Sequence, residues 1–136
     1  MEPFKVYILG CGSALPTLKH SASSQVVEIR EKYFMIDCGE GTQVQLRRTK
    51  IRFTKIHAVF ISHLHGDHWL GLIGMISTFG MLGRTATLHV YAPSEYEKML
   101  QTQMEMFCTG LEFQVEFHPV DTTTHQIIYE DKSLSI

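Results

Sequence analysis

The sequence predicts one domain of the α/β class, built on a mixed β-sheet. Its 136 residues suit a single domain, and 44% hydrophobic with 19% charged residues is typical of a folded globular chain. β-Rich and helix-like segments alternate along the chain, as in sheets whose strands are joined by helices. Two consecutive β-rich runs also predict a hairpin, and therefore an antiparallel pair within the sheet. This composition excludes intrinsic disorder, a collagen-like repeat and a coiled coil.

Apolar and β-branched runs predict the strands in order. The first strand ends at Gly10-Cys11-Gly12, and the hairpin turns at Arg30-Glu31-Lys32. The run that begins at Ile56 has His57 as its one polar residue, which is typical of a strand buried on both faces. Strands are therefore predicted over 5–9, 25–29, 33–36, 56–61, 88–91 and 113–117, and a further strand begins at 126.

Capping residues and helical spacing predict three helices. Thr42 is a candidate N-cap for a short helix that ends at Arg48. A second helix is predicted over 68–82, where three glycines indicate close packing. Ser94 and Glu97 have the spacing of a capping box, so a third helix is predicted from there to Phe107.

Charge, cysteine content and hydropathy exclude several classes of protein. A formal net charge of -2 and a pI of about 6.4 lack the basic footprint of an autonomous nucleic-acid-binding module. No apolar run approaches the roughly 18 residues needed to cross a bilayer, and the N-terminus does not resemble a signal peptide. Three cysteines without CxxC spacing predict reduced thiols and a cytoplasmic protein.

The strongest chemical signal is the segment Ser62-His63-Leu64-His65-Gly66-Asp67-His68, directly after the predicted buried strand. His63 and His65 are two residues apart, so in an extended chain they project to the same side. Gly66 permits a turn that brings Asp67 and His68 to a neighbouring position. Three imidazoles and a carboxylate form a ligand set suited to zinc or a similar divalent ion, and two pairs of ligands suit two adjacent metals.

Two loops are open to more than one interpretation. Asp37 begins a turn of two carboxylates and two glycines, and either supports the metal site from behind or serves only the turn. The Gly-x-Gly after the first strand is a tight turn in preference to a dinucleotide-binding loop, because Leu15 stands where a third glycine belongs. Cys11 and Cys38 are predicted to be packed thiols, and the other five histidines to be structural residues.

Four stretches of the chain resemble a known family. His63-Leu64-His65-Gly66-Asp67-His68 is similar to the His-x-His-x-Asp-His signature of the metallo-β-lactamase superfamily. The narrower resemblance is to the ribonuclease Z family, which trims tRNA precursors at their 3′ end. It is carried by the metal motif, the glycine-containing helix that follows it, and the stretches 9–16 and 34–43.

The resemblance implies an αββα sandwich with two zinc ions at one rim. By resemblance His63 and His65 would bind the first zinc, and Asp67 and His68 the second. Asp67 would also be catalytic, orienting or deprotonating the water that attacks the phosphodiester. The implied substrate is precursor tRNA, and the implied product carries a 3′-hydroxyl.

Family members are about twice as long as this chain, and their later motifs supply the remaining metal ligands and a tRNA-gripping arm. Residues 1–136 are therefore expected to be the N-terminal half of a metallo-β-lactamase-like domain, truncated and inactive when isolated. Such a half is expected to expose apolar sheet surface and to form a homodimer or higher oligomer. The strand residues that supply this apolar material are Ile8, Val26, Ile36, Val59, Ile61 and Val90.

Two other functions remain open from the sequence. One is a different metallo-β-lactamase-fold hydrolase that acts on a small ester, lactone or sulfate. The other is a non-catalytic truncated scaffold that holds half of a metal site.

Overall fold

The computed structural model describes residues 3–136, and over this range the chain forms one mixed β-sheet with helices between its strands. The strands lie in the sheet in the order in which they occur along the chain. They are β1 (Lys5–Gly10), β2 (Ser24–Ile29), β3 (Lys32–Ile36), β4 (Ile56–Phe60), β5 (Leu88–Pro93) and β6 (Val115–Val120). The helices are α1 (Thr42–Arg47), α2 (Leu72–Met81) and α3 (Tyr96–Phe107), with 3₁₀ turns at Phe53–Lys55 and Gly66–His68.

The predicted hairpin is confirmed as the β2–β3 pair, which is antiparallel. Its two-residue turn places Arg30 and Glu31 in the left-handed region, with φ of 50° and 58°. Two successive left-handed residues give the turn the twist that the flanking strands need, so the hairpin forms without glycine or asparagine.

Strand direction brings several loops to one edge of the sheet. β1 and β3 both run antiparallel to β2, whereas β3, β4, β5 and β6 are parallel to one another. The carboxyl ends of β1, β3 and β4 therefore meet at the same edge, which we call the rim. In open sheets with parallel strands this edge is the usual place for a binding site.

All three helices pack on one face of the sheet. Their buried residues, among them Leu46, Phe79 and Leu100, share a core with inward-facing strand residues such as Val59 and Val90. The opposite face carries a smaller cluster around Phe34 and Phe60, covered by side chains of the segment 128–136.

Apolar exposure is unevenly distributed over the strands. Four of the residues expected to supply exposed surface are buried beneath the helices, namely Val26, Val59, Ile61 and Val90. Ile8 is 62% exposed, and Phe4 and Val6 beside it are also exposed. The expectation of exposed apolar strand material is therefore wrong for the central strands and correct for the edge strand β1.

Helix starts differ from the sequence prediction because the predicted caps do not form. Thr42 is the first residue of α1, Gly41 caps it with φ of 82°, and the Thr42 hydroxyl donates to the carbonyl of Gly39. Ser94 likewise makes no side-chain cap for α3. The predicted strand at 126 is replaced by a loop with a single bridge between Glu130 and Ser135.

Within the described residues, no helix is long and apolar enough to cross a membrane.

Gly71→Ala is expected to lower the free energy of unfolding by about 2 kcal/mol, because a Cβ there would overlap the backbone carbonyl of Gly39. Gly71 caps α2, and Gly74→Ala, inside the same helix three residues further on, is the matched control. Its Cβ would lie 3.2 Å from the movable amide end of Gln43, so we expect a change below about 1 kcal/mol. Urea denaturation measures both variants. Equal stability of Gly71→Ala and Gly74→Ala would contradict the close contact between α2 and the loop after β3.

Candidate metal centre at the rim

The motif after β4 gathers its imidazoles at the rim. The ring centroids of His63 and His65 are 4.7 Å apart, and those of His63 and His68 are 4.1 Å apart. The Gly66–His68 3₁₀ turn brings the Asp67 carboxylate to 3.4 Å from Nε2 of His68. The four predicted ligands are therefore neighbours at the rim.

Asp37 is the buried carboxylate behind this motif. It is 4% exposed and accepts three hydrogen bonds: from the backbone N–H of Ser62 (2.7 Å), from the Ser62 hydroxyl (2.8 Å) and from Nδ1 of His68 (2.7 Å). Of the two interpretations left open by the sequence, this geometry supports the one in which Asp37 holds the motif. It also serves the turn, because its φ of 59° reverses the chain after β3.

The hydrogen bond to Asp37 sets the chemistry of His68. An ionised carboxylate only accepts hydrogen bonds, so Nδ1 of a neutral His68 must carry the proton. The lone pair is then on Nε2, the atom that faces Asp67. Proteins that bind metals through histidine use this same arrangement to orient the ring. The donor set of His63, His65, Asp67 and His68 thus fits a divalent transition metal.

A backbone N–H from the loop after β1 holds Asp67. Ala14, whose φ is 55°, donates its N–H to Oδ2 of Asp67 at 2.9 Å. This hydrogen bond lowers the pKa of Asp67, and the nearby His68 and His65 lower it further, so Asp67 is ionised at neutral pH. Gly10 ends β1 and Gly12 forms a bridge to Ala22, so the predicted tight turn is absent and the Gly-x-Gly stretch leads into the loop that carries Ala14 to the motif. No local pattern in the sequence signals this contact.

A cleft of about 440 Å³ opens beside Asp67. Its walls include both a potential cation and a carboxylate, His20 and Glu40, which suits a polar ligand. The lining residues are Ala14, Pro16, Thr17, His20, Ser21, Ala22, Glu40, Gly66, Asp67 and Leu70.

The cysteines near the rim differ from one another. Cys38 is fully buried, and burial raises the pKa of its thiol to about 12, so the prediction of a packed thiol is confirmed there. Cys11 is exposed, with its sulfur 3.8 Å from Nδ1 of His20, so the same prediction is wrong for Cys11.

Sequence reasoning missed one group of side chains altogether. His89 on β5 lies with Glu116 and His118 on β6, and their ligand atoms are all within 4.8 Å of one another. Among residues 3–136 this is the one such group of three or more histidine, cysteine, aspartate or glutamate side chains. The β5–β6 register brings the group together, and no local motif signals it.

Asp37→Asn is expected to invert the tautomer of His68 in the metal-free chain. The amide oxygen of the substituted side chain still accepts the backbone N–H of Ser62, so the amide NH₂ group faces Nδ1 of His68. Nδ1 must then accept a hydrogen bond, and the ring proton moves to Nε2. Nitrogen-15 chemical shifts of the His68 ring distinguish the two tautomers. Asp121→Asn, on an exposed turn, is the control and should leave them unchanged. An unaltered Nδ1–H tautomer in Asp37→Asn would contradict this account of how His68 is held.

Comparison with known proteins identifies relatives of the whole chain. A family model described as Anti-Pycsar protein Apyc1 matches residues 4–133. The whole chain is 60% identical to a protein named ribonuclease Z from Phocaeicola vulgatus and 54% identical to one from Bacteroides fragilis. It covers 44% and 45% of those two proteins, so the chain spans less than half the length of these curated relatives.

Solved structures show the same fold. Human tRNase Z, short form, is 33% identical with a TM-score of 0.79, over 88% of this chain and 45% of the human one. The metallo-β-lactamase fold protein YhfI from Bacillus subtilis is 22% identical with a TM-score of 0.64, over 85% of this chain and 46% of YhfI. The predicted fold class and the resemblance to ribonuclease Z are both confirmed. The chain thus has the metallo-β-lactamase fold and belongs to the family whose model is described as Anti-Pycsar protein Apyc1.

Proposed function

We propose that residues 1–136 are the N-terminal part of a longer endoribonuclease that removes the 3′ trailer from tRNA precursors. The observation that carries the proposal is the 60% identity, over every residue of this chain, to a protein named ribonuclease Z. The structural similarity to human tRNase Z at 33% identity supports it independently. The other part of the domain would supply the remaining metal ligands, because four side chains cannot complete two coordination shells.

Within this proposal the rim holds two zinc ions. His63 and His65 are the ligands of one ion, and Asp67 and His68 are those of the other. What the ions supply when bound is Lewis-acid stabilisation of the charge that develops on the phosphodiester. Nε2 of His68 is available for this role because Asp37 occupies Nδ1.

The protein side chains have separate tasks in this reaction. Asp37 fixes the position of His68, and the Ala14 N–H keeps the Asp67 carboxylate oriented and ionised. Asp67 accepts a proton from the attacking water, which is the action of a general base. The cleft beside Asp67 receives the RNA, with the His20 side chain available to a phosphate. The water oxygen bonds to phosphorus as the P–O3′ bond breaks, so the trailer keeps the phosphate, and the tRNA leaves with a 3′-hydroxyl once its O3′ takes up a proton from solvent.

The proposal extends to assembly and location. Phe4, Val6 and Ile8 form an exposed apolar strip along the edge strand β1, which supports a homodimer. Three cysteines without a disulfide support a reducing, cytoplasmic environment.

A second candidate function comes from the family description, which names an anti-Pycsar protein and no tRNA enzyme. Hydrolysis of a small ester, lactone or sulfate, or a scaffold role without catalysis, would be equally compatible with the fold. Site-specific cleavage of tRNA distinguishes the first proposal from all three.

The protein made from this chain and the continuation that its gene encodes is expected to cut a precursor tRNA at the 3′ end of its acceptor stem. The 136-residue chain alone, supplied with excess zinc, should not cut, since its ligand set is incomplete. Cleavage sites are mapped on a labelled precursor, with a His63→Ala/His65→Ala variant of the long protein as control. A long protein that binds zinc and leaves the precursor intact would refute the tRNA substrate, and robust cutting by the short chain would refute the need for further ligands.

Asp67→Ala in the long protein is expected to lower kcat by roughly 1,000-fold, because it removes a metal ligand and the proton acceptor together. His63→Ala removes a metal ligand only, so it should lower kcat by a smaller factor than Asp67→Ala at equal metal content. Asp121→Ala, at a carboxylate that bonds only within its own exposed turn, is the control. Single-turnover cleavage at saturating zinc compares the three. Greater damage from His63→Ala than from Asp67→Ala would rule out the proposed double role of Asp67.

A further inference from the structure

A second set of metal-ligating side chains lies on the face of the sheet opposite the helices. It consists of His89, Glu116 and His118, and we call it the sheet-face triad. It is carried by β5 and β6, whereas the rim motif follows β4, so the two sets share no residue and no loop. No step of the proposed function uses it.

Strand register explains why these residues meet. In the parallel β5–β6 pair, His89 is the direct partner of Glu116, and Tyr91 is the direct partner of His118. Side chains two residues apart in a strand point to the same face, so Glu116 and His118 project together beside His89. The triad is therefore built on two hydrogen-bonded strands, which position ligands more rigidly than a loop does.

The spacing of the ligand atoms matches a single metal ion. Around one tetrahedral zinc, with bonds of about 2.0 Å, neighbouring ligand atoms lie roughly 3.3 Å apart. Here Nδ1 of His89 is 3.0 Å from Nε2 of His118, Oε2 of Glu116 lies 3.8 Å from the first nitrogen, and Oε1 of Glu116 lies 3.6 Å from the second. With one carboxylate oxygen as ligand, the three ligand atoms are all within 4.8 Å of one another, and a change in the Glu116 rotamer brings that oxygen to the spacing of one ion.

Neighbouring rings fix the two imidazoles before any ion arrives. The His118 ring stacks on Tyr91 with centroids 4.3 Å apart and planes 10° apart. The His57 ring lies 5.2 Å from the His89 ring. Ordered rings lose less conformational entropy on binding, which favours affinity. In the 136-residue chain both imidazoles are partly accessible, at 25% and 29%, so an ion can reach them there.

We propose that the sheet-face triad binds one divalent transition metal ion, with zinc as the ion whose chemistry it fits. Two imidazoles and one carboxylate are three protein ligands of the types that zinc takes, and they leave a fourth position for water. The Glu116 carboxylate supplies the negative charge that partly balances the ion. Because His89 lies on β5 and the other two ligands on β6, the ion would fasten the edge strand β6 to the sheet.

A rim-deleted variant, His63→Ala/His65→Ala/Asp67→Ala, isolates the triad for the test. It retains His68 and its hydrogen bond to Asp37, so the loop is still held. The rim-deleted 136-residue chain, without a tag and treated with EDTA, is titrated with Co²⁺ while its visible absorption is recorded. Zn²⁺ is then added to compete with the bound Co²⁺. We expect one Co²⁺ per chain, displaced by Zn²⁺, and a rise in the thermal unfolding midpoint as Co²⁺ is added.

In the rim-deleted background, His89→Ala and Glu116→Gln should each weaken Co²⁺ binding at least about tenfold, because losing even an outer-shell partner of a metal ligand typically costs about 10- to 100-fold in affinity. His125→Ala, at an exposed histidine outside the triad, should leave binding unchanged. Circular dichroism verifies the fold of each variant. Should His89→Ala fail to fold, Glu116→Gln decides the question, because the Glu116 side chain is 56% exposed and is not needed for packing. A rim-deleted chain without Co²⁺ binding, or binding that survives Glu116→Gln, would overturn the proposal and leave the tRNA proposal untouched.

Discussion

The buried carboxylate of Asp37 is the constraint on which the rim depends. Removing a charged group from water costs several kcal/mol unless hydrogen bonds compensate it, and Asp37 receives three. All three hydrogen bonds come from residues of the motif after β4, two from Ser62 and one from His68. The backbone adds two more links, from Asp37 N–H to the Phe60 carbonyl and from Cys38 N–H to the His68 carbonyl. The turn after β3 and the metal motif consequently form one unit.

Close backbone approach is the second requirement of this unit. A Cβ at Gly39 would overlap the carbonyl of Asp67, and one at Gly71 would overlap the carbonyl of Gly39. The start of α2, the turn after β3 and the motif loop thus lie in direct backbone contact. Trp69 closes the loop by donating its indole N–H to the Leu64 carbonyl at 2.9 Å. The loop after β1 then reaches Asp67 through the Ala14 N–H, so three chain segments converge on one carboxylate–imidazole pair.

The sequence predicted what depends on local pattern. A buried strand such as β4 has a continuous apolar run that is visible in the sequence. The motif after β4 has ligand types and a spacing that few other structures require. Features that depend on distant partners were undecided or missed. Asp37 acquires its role only where β3 and β4 pair, and Ala14 only where the β1 loop meets the motif. His89 and His118 were assigned structural roles because strand register, which is invisible to local periodicity, is what joins them to Glu116.

In the proposed metal centre, contacts between protein groups orient two of the ligands before any ion binds. His68 is aimed by Asp37 and Asp67 by Ala14, and both interactions are between protein groups alone. Because the ordering cost is met during folding, an ion arriving at the rim need not also organise these two ligands. The two ends of the motif differ in how firmly other protein groups hold them. Asp67 and His68 are fixed by groups from other segments, whereas the hydrogen-bond partner of the His63 ring within residues 3–136 is its neighbour Ser62, at 3.0 Å. In the proposed centre, His63 and His65 would therefore depend more on the ion for their final positions, and Asp67 and His68 would form its rigid part.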